Sequence, residues 1–123
     1  MDWIVLAIIV FAVGGFLFLR FGGTVSTDEA RRHLREGALL VDVRTPSEFA
    51  GGSVPGAINI PLSALPDAMA SHAPNKDRVL LLHCQSGSRS SMAARRLRSA
   101  GYTRVFNVGS FGQAQNLGTP AQR

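Results

Sequence analysis

The run Val79 to His83, VLLLH, constrains the fold more than any other stretch of the soluble part. Four successive aliphatic residues leave no polar face, so a strand here must be covered on both sides. Such strands belong to mainly parallel sheets, whose crossovers bring helices onto each face. The neighbouring segments supply those elements. Ser26-Thr27-Asp28-Glu29 is a helix-start signature, and Gly37 stops the helix it opens. Ala38–Val43 is an apolar run of strand length, and Pro46 opens a second helix, PSEFA, closed by Gly51-Gly52. Ile58–Ile60 predicts a short strand and Leu62–Ala70 a helix. Ser90–Ala100 predicts another helix, ending at Gly101, and Arg104–Val108 a last strand. The expected architecture is α/β, a single domain over 26–112 with a mainly parallel central sheet flanked by helices. Residues 113–123 read as a flexible C-terminal tail.

Ahead of this domain lies WIVLAIIVFAVGGFLFL, Trp3–Leu19, without a charge or a proline. Through Phe21 it makes a helix of roughly 28 Å, close to a hydrocarbon core. The expectation is one transmembrane helix over 1–21 and a linker over 22–25, with lipid as partner. Arg20 would snorkel to the headgroups and Trp3 would sit at the opposite interface. A cleavable signal peptide competes, but Met1-Asp2 carries no basic residue and no A-x-A site follows the run. Arg20, Arg31, Arg32 and Arg35 all follow the span, so the positive-inside rule places the domain in the cytoplasm.

Composition narrows the chemistry. The chain has 123 residues, a net charge of +5 and one cysteine. A single thiol excludes an internal disulfide framework and multi-thiolate metal sites. Twelve of the 13 basic residues are arginines, but they are scattered and have few aromatic neighbours, which disfavours nucleic-acid binding. His33, His72 and His83 are too far apart in sequence for metal-ligand spacing; the first and second are expected on surface helices, the third packed in the sheet.

Parallel sheets place ligands beyond the C-terminal ends of their strands, here just after His83. Cys84-Gln85-Ser86-Gly87-Ser88-Arg89 follows, and then a helix. A cysteine between a strand end and a helix start meets converging backbone N–H groups, which favour its thiolate. Small residues let the loop curl around a central anion. Asp42 and Arg44 end the earlier strand and Glu48 opens the next helix. Arg44 and Glu48 are expected to form a structural ion pair, with Asp42 anchoring nearby backbone.

This loop resembles the active-site loop of the rhodanese family of sulfurtransferases. LLVDVRTPSEFAGGSVPGAINIPL is similar to the family's D-V-R-x-x-x-E-[FY] stretch and the G-H-[IV]-x-G-A-x-N-I-P that follows. Ser53 stands where the family has His, and RVFNVGSF lacks the usual tryptophan-containing ending. The resemblance covers 26–112 and implies that Cys84 takes the sulfane sulfur of a donor such as thiosulfate. The resulting persulfide would pass its sulfur to a thiol or cyanide. It implies that the ring Gln85, Ser86, Gly87, Ser88 and Arg89 holds the charged sulfur, with Arg89 matching the anionic donor, and that no metal or cofactor is needed. Two other readings stay open. A membrane-tethered sulfur carrier or docking module needs the same loop. A cysteine phosphatase shares His-Cys-x-x-Gly, but has five residues between Cys and Arg where this chain has four.

Overall fold

The computed structural model describes the backbone of residues 2–21 and 23–118 and the side chains of 2–16 and 23–118. Met1, the side chain of Arg20, Gly22 of the expected linker and 119–123 of the expected tail lie outside the described residues. Among the described residues six α-helices and four strands follow one another: α1 Asp2–Phe21, α2 Thr27–Arg35, β1 Leu39–Asp42, α3 Pro46–Ala50, β2 Ile58–Asn59, α4 Met69–His72, β3 Leu80–His83, α5 Ser88–Ser99, β4 Val105–Gly109 and α6 Phe111–Gln115. A 3-10 turn, Leu62–Ala64, precedes α4.

The four strands form one parallel sheet in the order β2-β1-β3-β4. All of β3 is buried, as its unbroken apolar run requires. Alternation sorts its side chains. Leu80 and Leu82 enter one core with Ala93, Ala94 and Leu97 of α5. Leu81 enters the other with Ala30 and Leu34 of α2 and Ala114 beside α6's end. The buried faces of α2 and α5 follow helical spacing: Ala30, His33 and Leu34; Ser90, Ala93, Ala94 and Leu97.

Several expectations change. The helix expected over Leu62–Ala70 is interrupted, because Pro66 holds the residue before it away from helical geometry; Leu65 is extended at ψ 144°. The chain from 113 is packed at first: Ser110 and Gln113 cap α6 reciprocally, and Ala114 and Leu117 are buried. His33 lies on a surface helix but points inward, stacked on Phe106 at 4.8 Å. The transmembrane helix expected over 1–21 is not supported by the described residues, among which no helix is long and apolar enough to cross a membrane. Side chains 2–16 are the described ones of α1. Every one of them is exposed, Phe11 at 86%.

Candidate active site

Register brings the strand ends together. Asp42 pairs with Asn59 and with His83, and His83 pairs with Gly109. The connection after β1 runs to β2 on one side and the connection after β3 runs to β4 on the other, so the loops after β1 and β3 flank a topological switch point. A bulge in β4 between the partners of Leu82 and His83 carries Gly109 to the Cys84 backbone, where its carbonyl accepts from Cys84 N at 3.1 Å.

Cys84 stands at the first position past β3 and is fully covered. Its Sγ accepts from Gly87 N at 2.9 Å, and Ser90 Oγ lies 3.5 Å away. Gly87 can turn its N–H inward because it adopts φ +102°, a conformation that costs a residue with a Cβ roughly 1–2 kcal/mol. Burial pushes the thiol up. The Ser90 hydroxyl and the backbone N–H groups of Ser90, Gly87 and Ser86 outweigh that effect and hold Cys84 below an ordinary thiol. The ring is pinned from β4 and α6 by the bridge between Ser86 and Ser110, and by Phe111 N donating to Gln85 O at 3.2 Å.

The charged residues pair differently from the expectation. Arg44 does not bind Glu48. Its Nε and Nη2 donate to Asp42 at 2.7–3.0 Å, and Nη2 also donates to Gly52 O at 2.7 Å. Both partners are buried, with side-chain exposures of 5% and 0%. Arg44 Nη1 reaches Gln85 Oε1 at 3.5 Å and the guanidinium stacks on Phe111 at 4.4 Å, so this pair backs the ring. Asp42 does anchor backbone, accepting from Arg44 N at 2.9 Å.

Glu48 instead receives both terminal nitrogens of Arg89, at 2.7 and 3.0 Å. Thr45 makes this possible by capping α3, with Glu48 Oε1 accepting from Thr45 N at 3.1 Å. Arg89 first, and then Thr45, lower Glu48 from 4.5 to about 2, so the pair stays ionised through ordinary acid conditions. Ser53, which replaces the family's His, is exposed.

Two contributors were missed by the sequence reading. Ser90 is wholly buried, and its hydroxyl lies 2.7 Å from Asn107 Oδ1 and 3.0 Å from Gly87 O. Asn107, from β4, also donates to Gly87 O at 3.4 Å. A polar residue within an otherwise apolar last strand was the available signal for Asn107. His83 is buried with both ring nitrogens lacking a hydrogen-bond partner, and its Nε2 is 3.9 Å from Asp42 Oδ2. Burial lowers its pKa and favours the neutral ring, despite the pull of Asp42.

A parallel α/β sheet that presents a cysteine with a lowered pKa in a tight loop at a helix start is an arrangement that favours thiolate chemistry. The chain belongs to the rhodanese family: the Rhodanese-like domain matches residues 26–113. A sulfurtransferase of Allochromatium vinosum is 45% identical over 73 residues, covering 59% of this chain and 66% of its own length. The human thiosulfate:glutathione sulfurtransferase is 39% identical over 97 residues, covering 68% of this chain and 84% of its own. A solved Escherichia coli rhodanese with anions superposes with a TM-score of 0.61 at 34% identity, covering 63% of this chain and 91% of that one.

Proposed function

We propose that this protein is a sulfurtransferase that moves a sulfane sulfur from a donor such as thiosulfate to a thiol or cyanide through a persulfide on Cys84. The observation that carries the reading is the Cys84 sulfur at the start of the ring, with Gly87 N donating to it. The Cys84 thiolate attacks the outer sulfur of thiosulfate; the S–S bond breaks and sulfite leaves with the bonding pair. Cyanide then attacks the outer sulfur of the persulfide, releasing thiocyanate and the Cys84 thiolate. The N–H groups of Ser86, Gly87 and Ser90 face the sulfur. Asp42 and Arg44 support the ring from behind, and Glu48 steadies Arg89. Intact mass after thiosulfate treatment should show one added sulfur that cyanide removes. A chain that gains no mass would overturn the proposal.

Ser90 should set the reactivity of the thiol. Its loss removes one hydrogen bond to a charged sulfur, so Ser90→Ala should slow sulfur transfer about tenfold at neutral pH. Activity rises with pH as Cys84 ionises, and its midpoint in the wild type should lie below that of an ordinary thiol. The variant's midpoint should move upward, and Ser90→Thr should restore it. An unmoved pH profile would remove Ser90 from this role.

A carrier that loads once without turning over is the second reading, favoured by the complete cover over Cys84. Steady-state transfer from thiosulfate to cyanide separates the two, since a carrier loads rapidly and turns over negligibly.

The sequence run 3–19 and the exposure of side chains 2–16 support a further proposal, that α1 holds the domain to a lipid bilayer. The arginines that follow it support a cytoplasmic domain. The chain should resist extraction by alkaline carbonate; release would reject the anchor. Protease access to the domain from the outer side would reject the orientation.

A further inference from the structure

A hydroxyl has one proton to give, and Ser90 Oγ has four acceptors around it. Asn107 Oδ1 lies at 2.7 Å and Gly87 O at 3.0 Å, while Cys84 Sγ and Gly109 O are each at 3.5 Å. The network fixes which way the Asn107 amide points. Gly87 O can only accept, so the amide nitrogen faces it at 3.4 Å and Oδ1 faces Ser90. Oδ1 carries no proton, so Ser90 is the donor in that contact. Asn107 is itself held from two sides. It pairs with Leu82 of β3, and its carbonyl accepts from Val25 N at 2.9 Å.

We infer that Asn107 is a positioning residue that holds the Ser90 proton away from Cys84 until the Cys84 sulfur is charged. Beside a neutral thiol the proton lies on Asn107, its nearest acceptor. Once the thiol has given its own proton to solvent, the sulfur is a charged acceptor, and the Ser90 O–H turns to it. The Ser90 O–H bond rotates and does not break. In the persulfide Sγ is bonded to the outer sulfur, where the charge then sits, and the hydroxyl turns back to Asn107. Each turn toward Sγ gives up the Asn107 hydrogen bond, so Asn107 makes the thiolate harder to form. The effect on loading rests on the sulfurtransferase reading; the effect on ionisation does not.

Asn107→Leu provides the test, with Asn107→Ala as a second variant. Leucine is close to asparagine in shape and offers no acceptor. Gly87 O still receives Ser91 N at 3.1 Å when the amide is lost. The Ser90 proton then falls to Gly87 O, a longer contact already shared with Ser91 N, and is given up to the sulfur more easily. The charged and titratable groups at this end of the sheet are Asp42, Arg44, Glu48, His83 and Arg89. β4 and α6 bring none, and neither variant alters a charge. The chain has one cysteine, so the ultraviolet absorbance of the thiolate follows its ionisation in the full chain, with Cys84→Ser as blank. Circular dichroism checks that each variant is folded.

In either variant the midpoint should fall by about half a pH unit, with about threefold more thiolate below it. Loading from thiosulfate, read by intact mass, should rise about twofold there, because a weaker base is also a weaker nucleophile. In a Ser90→Ala background the same substitutions should leave the midpoint unmoved, since no hydroxyl proton is left to compete for. An unmoved or raised midpoint in folded single variants, or an equal fall without Ser90, would overturn the inference. A wild type that gains no sulfur from thiosulfate would instead overturn the sulfurtransferase reading, on which the absorbance does not depend.

Discussion

Replacing Cys84 by serine should abolish sulfur transfer and leave the domain folded. Serine is nearly isosteric, and its oxygen can accept the hydrogen bond that Gly87 N gives to sulfur at 2.9 Å. The hydroxyl stays protonated at neutral pH and cannot carry a persulfide, so the covalent route has no substitute. The loss should exceed about a thousandfold, since the ring alone leaves no nucleophile to receive the sulfur. The checks are thiocyanate release, intact mass after thiosulfate, and circular dichroism. Wild-type turnover in the serine variant would refute the mechanism.

Asp42→Ala should cause the largest loss of stability. Arg44 is 5% exposed and Asp42 0%, so the substitution strands a buried guanidinium that keeps Gly52 O and Gln85 as its side-chain hydrogen-bond partners among the described residues. Removing one member of a buried pair costs about 3–5 kcal/mol, a large part of the stability of a small domain. Urea denaturation should show the midpoint falling with an unchanged slope. Replacing both partners, Asp42→Leu with Arg44→Met, should recover much of the loss, because no charge is then left unpaired. A single-variant cost below about 1 kcal/mol would show that the pair does not hold the strand end. Sulfur transfer should fall with the same substitution, because Arg44 backs the ring through Gln85 and Phe111.

The mistaken partner for Arg44 shows where local reading stops. Arg44 and Glu48 are four apart, a spacing that pairs side chains within a helix. Arg44 lies outside α3, whose N-cap is Thr45, so that helical geometry does not exist between them. Glu48 finds Arg89 instead, 41 residues away, because the start of α5 is carried to the same end of the sheet. The Ser90–Asn107 contact has the same origin. It depends on β4 lying beside β3, with a bulge that shifts its end relative to Cys84. Neither separation leaves a periodic trace in the chain.

Boundaries followed a similar division. PSEFA was legible as α3 because its opening proline and its closing glycine act within a few residues. The end of the packed domain was not. Ser110 and Gln113 form a capping box, yet α6 is short, and its burial depends on Ala114 and Leu117 meeting a core built by α2 and β3.

Sequence alone therefore determined what short-range physics controls. Unbroken apolarity made β3 a covered strand, caps opened the helices, and Cys84 with its small neighbours made a tight ring past the end of β3. Tertiary structure decided which charges meet and which hydroxyl reaches the sulfur. Those outcomes depend on distances of a few ångströms between segments far apart in sequence, set by strand order and register rather than by any local preference of the chain.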